Sequence, residues 1–397
     1  MTNLEIELCM RDLVFKDDDT IIFPSENFNG LFSASIKTGK AHLIGTFPGE
    51  EMYKQRLYRG AHKYKHYILF VPAVGRHLLV YDMDKDAFQS ILDKGASPSI
   101  FKYGASIMVN KYVYIFGGDN VPEILRIDME NFQVKYYEGW LEKICRYGEK
   151  KEKPYFYNSV CLVNNSLFAV TGQSNSILEL DMQNDNIYIH SIGEKEDIFK
   201  ALAWDGESFL LMDQAQNIIR ADIKKGSFQY LKIENHVIKN WFSYSIVMGD
   251  EVWFVSNSGN IVKINGNSIV NSRLETEFYG SEQRENWYVM VKKVEKGLAF
   301  FSGPHYELHL FERGRGIKKI KILWEDPIRD YYDKYPKEYY HLEHSKDSKN
   351  YILYENIETF IQYIKSTNNI NVKEIKKSNI GKRTYDLIAY NYQSEDQ

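Results

Sequence analysis

Residues 112–130 read YVYIFGGDNVPEILRIDME: five strand-forming residues, a Gly-Gly-Asp turn, then a second strand ending in Ile-Asp. Tyrosine and β-branched residues suit a pleated, half-buried surface, and Gly with Asp supplies the turn. The same arrangement stands upstream as YILFVPAVGRHLLVYDMDK (67–85) and downstream as SLFAVTGQSNSILELDMQN (166–184). One supersecondary unit is being written repeatedly.

Counted along the chain, the first apolar runs are TIIFP (20–24), YILFVP (67–72), YVYIFG (112–117), SLFAVT (166–171), SFLLMD (208–213), EVWFVS (251–256) and GLAFFS (297–302). Their partner strands close at Ser35, Asp82, Asp128, Asp181, Asp222, Asn265 and Glu312, at intervals of 47, 46, 53, 41, 43 and 47 residues. A further strand follows each closing residue, as in FQVKYY, and another precedes each run, as in ASIMVN (105–110). An aromatic stands nine residues before the run in six units, at Tyr58, Tyr103, Tyr157, Phe199, Phe242 and Tyr288; Met10, ten residues before its run, takes that place in the first. Four strands at this period are a propeller blade. Seven of them predict an all-β, seven-bladed β-propeller over residues 5–324, closed into a ring that protects its sheet edges.

The pattern resembles bacterial kelch-like and WD-type β-propellers over 5–324. The resemblance is one of architecture. Gly117-Gly118 matches the glycine pair that ends the second strand of a kelch blade, whereas no blade carries the Gly-His and Trp-Asp signature of WD repeats.

The period stops at Trp324. Residues 325–397 read as a connector and a small C-terminal helical appendage, with IETFIQYI (357–364) and SNIGKRTYDLIAY (378–390) as its two short helices. These are expected to dock on the ring as a cap over an edge or a face, with partner docking or self-association as the alternative reading.

Composition narrows the partners. The chain has 397 residues and a net charge of -4, which argues against nucleic acid as a general ligand. No apolar run is long enough to cross a membrane as a helix, and MTNLEIELCMRDLVF lacks the basic head and apolar core of a signal peptide. Cys9, Cys145 and Cys161 show no metal-ligand spacing, so free thiols in a cytoplasmic protein are expected. Neither a metal nor another cofactor is expected.

In such a ring the turns between second and third strands share one face with the connections between blades, and ligands gather there. The longest connection, EGWLEKICRYGEKKEKPYFYN (138–158), accounts for the 53-residue interval and carries Trp140, Arg146, Tyr147 and Tyr155. Just past the aromatic anchors stand Arg59, Asn158, Lys200 and Ser243, the cations suited to an acidic group and the others to hydrogen bonds. Together these eight residues are the expected contacts of a non-catalytic module that binds a protein or peptide partner. The rival from another class is a lyase or hydrolase acting on a sugar or small ester, with His305 as acid or base. Carbohydrate binding without turnover is the third reading, suggested by the 30 tyrosines. Asp82, Asp84 and Asp86 imitate the opening of a calcium loop but lack its glycine and its closing glutamate.

Overall fold

A computed structural model of the chain describes residues 5–50, 54–93, 103–117, 123–145, 156, 159–172, 174–231, 242–273, 288–295, 297–303, 306–312, 316–325, 341–344 and 351–354. Seven antiparallel sheets form blades 1 to 7, spanning 14–45, 58–93, 103–137, 160–191, 199–231, 242–273 and 288–321. Strands follow chain order across each blade, and the first strands of consecutive blades touch around the axis. The chain is a seven-bladed β-propeller of four-stranded blades.

Hydrophobic clusters explain why the apolar runs recur. Side chains alternate across a strand, so each second strand feeds the interfaces on both sides of its blade. Leu69 and Val71 join Val113 and Ile115 between blades 2 and 3, while Ile68 and Phe70 join Phe47 and Tyr58 between blades 1 and 2. Clusters of this kind fill all seven interfaces, including that between blades 7 and 1. A second strand is therefore buried along its length, as in Phe209–Asp213, and needs an unbroken apolar run. Third strands such as Ile124–Asp128 turn one residue in the middle towards solvent, and outer strands such as Ser227–Leu231 face water.

The recurrent closing acids are turn caps. Asp82 Oδ1 accepts from Asp84 and Lys85 N–H, and Asp181 Oδ1 accepts from Gln183 and Asn184 N–H. Asp128 and Asp222 do the same for Glu130 and Lys225, and Ser35 Oγ serves blade 1. These are the side-chain-to-backbone bonds that favour Asp and Ser in turns.

The two ends of the propeller segment close the ring at blade 1. Leu323–Glu325 leaves blade 7 and runs parallel to the outer strand Lys40–Gly45; Glu5–Glu7 then pairs antiparallel with Leu323–Glu325. Leu323 N–H donates to Gly39 O and Leu8 N–H to Ile322 O, at 2.8 and 2.9 Å. A Cβ at Gly39 would collide with the Lys321 carbonyl, so this approach requires glycine. Trp324 is fully buried in blade 1, against Phe32 at 4.9 Å and Phe28 at 5.9 Å. Beyond the ring, His341–His344 pairs with Tyr351–Tyr354 as a small two-stranded sheet where a connector is expected. The two expected helices lie outside the described residues.

Near the axis a second clasp joins three blades. The Lys292 ammonium of blade 7 donates to Asp12 Oδ1 at 2.6 Å, Leu13 O at 3.0 Å and Ala61 O at 3.1 Å. Asp12 Oδ2 accepts from Ala61 N–H of blade 2 at 2.7 Å. All three ammonium protons are thereby used. Asp12→Ala leaves the Lys292 ammonium without its counter-charge and the Ala61 amide without its acceptor, so we expect a loss of about 3 kcal/mol, seen as a lower urea midpoint at unchanged slope. An unchanged midpoint would remove the clasp from the account of closure.

Candidate functional site

On the loop face of blades 1 and 2, three loops are knitted together. Asn29 fixes the connection after blade 1: its Oδ1 accepts from Phe47 N–H at 2.7 Å, and its Nδ2 donates to Phe47 O and Glu50 O, both at 3.0 Å. Leu57 O accepts from Ala73, Val74 and Gly75 N–H, drawing the turn of blade 2 onto the same connection. A Glu50 carboxylate oxygen accepts from Arg76 N–H.

Arginines rise from this platform. Arg11 Nε lies 2.6 Å from Glu26 Oε2, and Arg56 Nε lies 3.2 Å from Glu26 Oε1. Burial pushes the Glu26 carboxyl above its usual range, against the pull of both guanidiniums. The Arg56 side chain is 62 % exposed, Arg76 is exposed, and Arg59 is half-buried. Arg56 and Arg76 escape a reading based on the repeat, because they lie in loops that do not align between blades; Arg11 follows Met10 as Arg59 follows Tyr58. The available signal was three arginines, Arg56, Arg59 and Arg76, at one blade connection and the turn that follows it.

Ladder register shows what is special about the position after each aromatic anchor. It is skipped by the pairing in five blades: the shifts fall between Tyr58 and Gly60, Tyr103 and Ala105, Phe199 and Ala201, Phe242 and Tyr244, and Tyr288 and Met290. Arg59, Gly104, Lys200, Ser243 and Val289 are thus bulge residues, a feature that re-aims a side chain beside a binding surface. At Gly104 a Cβ would collide with Phe156 O. Lys200 is only 8 % exposed and donates from Nζ to Gly172 O at 2.6 Å, strapping the turn of blade 4.

Trp140 requires a correction. Expected as an exposed contact, it is 1 % exposed and packs on Phe156 at 5.2 Å, within a cluster that holds Tyr137 and Ile144. The insertion begins with a short helix, Leu141–Cys145, that carries Ile144 inward, so an aromatic there fills the interface of blades 3 and 4. Arg146, Tyr147, Tyr155, Asn158 and His305 lie outside the described residues.

The channel is bordered by satisfied polar groups. His62 Nε2 meets Ser106 Oγ at 2.8 Å, and Ser245 Oγ donates to Leu202 O at 2.6 Å. His309 is 3 % exposed, beside Glu307 at 3.3 Å and edge-on to Phe300. Its role is packing. Among the described residues, His66, Asp82 and Asp84 bring ligand atoms within 4.8 Å of one another. Asp82 spends Oδ1 on its turn and Oδ2 on Lys85 at 3.1 Å, so the trio reads as a solvated turn.

No protein-family model and no curated protein matches the chain. Solved propellers do. Virginiamycin B lyase from Staphylococcus aureus aligns with a TM-score of 0.56 at 12% identity, over 81% of this chain and 98% of that one. The WD40 repeats of RRP9 align at 0.52 and 9% identity, over 75% and 87% of the two chains. BamB from Moraxella catarrhalis aligns at 0.50 and 12% identity, over 73% and 80%. At such identities the likeness is one of fold.

The channel makes the ring acid-sensitive. Burial, with the Lys292 charge nearby, depresses His62 to about 3. An unfolded histidine takes its proton near 6.5, so below that pH the unfolded chain binds a proton that the folded chain refuses. Stability is therefore lost as pH falls from 6.5 towards 3, by about 2 kcal/mol at pH 5 from this residue. Urea titrations at pH 7 and pH 5 should show a smaller acid loss in His62→Gln than in the parent. Equal losses would contradict the assignment.

Proposed function

We propose that the chain is a cytoplasmic, non-catalytic binding module that holds a protein or peptide segment on its loop face. The observation that carries this reading is the arginine-bearing platform of blades 1 and 2. Its loops are locked by Asn29, Leu57 O and Glu50, so little entropy remains to be lost when a partner docks. Arginine is favoured as an interface anchor because its planar fork binds carboxylates in a fixed orientation. Arg56, Arg76 and Arg59 would face an acidic stretch of the partner, with the segment around Arg146, Tyr147, Tyr155 and Asn158 as a second contact. Lys200 and Ser243 would shape the rim from their bulges.

Native mass spectrometry of the protein purified gently from its own cells tests this. A stoichiometric second polypeptide is expected, and Arg56→Ala with Arg76→Ala should weaken its retention about tenfold or more. Replacing 146–154 by a Gly/Ser linker, which spares Trp140 and Ile144, should weaken it too. A lone chain carrying a sugar or other small molecule would overturn the reading. In that case His305→Ala, assayed for turnover, would separate an enzyme from a carbohydrate binder.

A further inference from the structure

The opposite face, formed by the hairpin turns within blades, carries a different site, independent of the loop-face reading. Two pairs of neighbouring blades are latched there by a guanidinium. Between blades 3 and 4, Arg126 reaches Asp185 at 3.0 Å with its carbon 4.9 Å from the centre of the Tyr112 ring. Between blades 5 and 6, Arg220 reaches Asn267 Oδ1 at 2.8 Å and Gly266 O at 2.5 Å. Both cations stand two residues before the closing acid of a third strand.

Between blades 4 and 5 every part of the latch is changed. Glu179 stands where Arg126 stands, Ser166 replaces Tyr112, and Gly226 replaces the acceptor Asp185. A cleft of about 240 Å³ opens in their place. Phe168, Phe209 and Trp204 wall it, with ring centres 4.6 and 4.8 Å apart in sequence. Glu179 is 9 % exposed and held in position by Ser166 Oγ at 2.8 Å and His190 Nε2 at 2.7 Å. Each carboxylate oxygen keeps a lone pair beyond the bond it accepts. Glu207 adds an exposed carboxylate; Asp222, also at the edge, is paired with Lys225 at 2.8 Å. Lys224 opposes them from the rim.

We propose that this cleft binds an arginine side chain of a partner peptide, which supplies the guanidinium that the blade interface itself lacks. The neighbouring interface shows the chemistry, an aromatic ring under the cation and a carboxylate at its end, and the cleft presents the same two elements without the cation. Charge complementarity sets the occupant: Glu179 and Glu207 disfavour an acidic or neutral residue, while the aromatic walls take the apolar stem of arginine.

The probe is a fluorescein-labelled Gly-Gly-Arg-Gly-Gly peptide followed by anisotropy, with Ala or Glu in place of Arg as comparison. The Arg peptide should bind saturably and the other two should not. Glu179→Gln and Glu207→Gln should each weaken it about three- to tenfold, Lys224→Ala should tighten it about twofold, and Asp250→Asn, on a different interface, should leave it unchanged. Glu207 is exposed, so its variant keeps the test valid if Glu179→Gln fails to fold. No saturable binding by the parent, equal binding of the Ala peptide, indifference to Glu207→Gln, or an equal loss in Asp250→Asn would each overturn the proposal.

Discussion

A blade cannot bury both of its faces by itself, and six of the seven interfaces come automatically from chain order. The seventh must be made by the two ends of the propeller segment, and the other six depend on it for a closed circle. Here closure is double. At the rim, Leu323–Glu325 is inserted between Glu5–Glu7 and Lys40–Gly45, with Trp324 as its apolar anchor. At the axis, Lys292 joins Asp12 to the Ala61 backbone. The rim lock also covers the outer edge of blade 1, which would otherwise offer unpaired backbone groups to another chain.

Much of this was legible in the sequence, because period-two burial and interface sharing leave a mark on every blade. Five of the seven apolar runs coincide with second strands end to end, among them Tyr67–Pro72 and Glu251–Ser256. The closing residues of blades 1 to 5 mark turns because their side chains cap them. Other features left no local mark. The bulge after the aromatic anchor is a matter of pairing, and spacing alone does not separate a skipped residue from a paired one. Trp140 looked like a loop residue because the insertion breaks the repeat, yet a five-residue helix turns that stretch inward. Closure depends on contacts between residues some three hundred positions apart, which no local pattern encodes.

The repeat also organises the functional reading. Where a residue recurs, as with the turn acids, its role belongs to the scaffold. Departures are informative when several fall at one place. On the loop face they are the arginines of blades 1 and 2, seated on hydrogen-bonded loops. On the other face they are Ser166, Glu179 and Gly226, three exchanges around one cleft. A single fold can carry both, because each interface needs only its buried clusters to hold and leaves the turns free to vary.

Closure by the two ends is the claim on which everything else stands, and backbone hydrogen exchange read by mass spectrometry reaches it most directly. Amides of 5–8 and 322–325 should be protected as strongly as those of the second strands, and should lose protection together with them as denaturant is raised. Exchange of both segments at the rate of exposed turns, while the second strands stay protected, would mean that the ring is not locked by its ends.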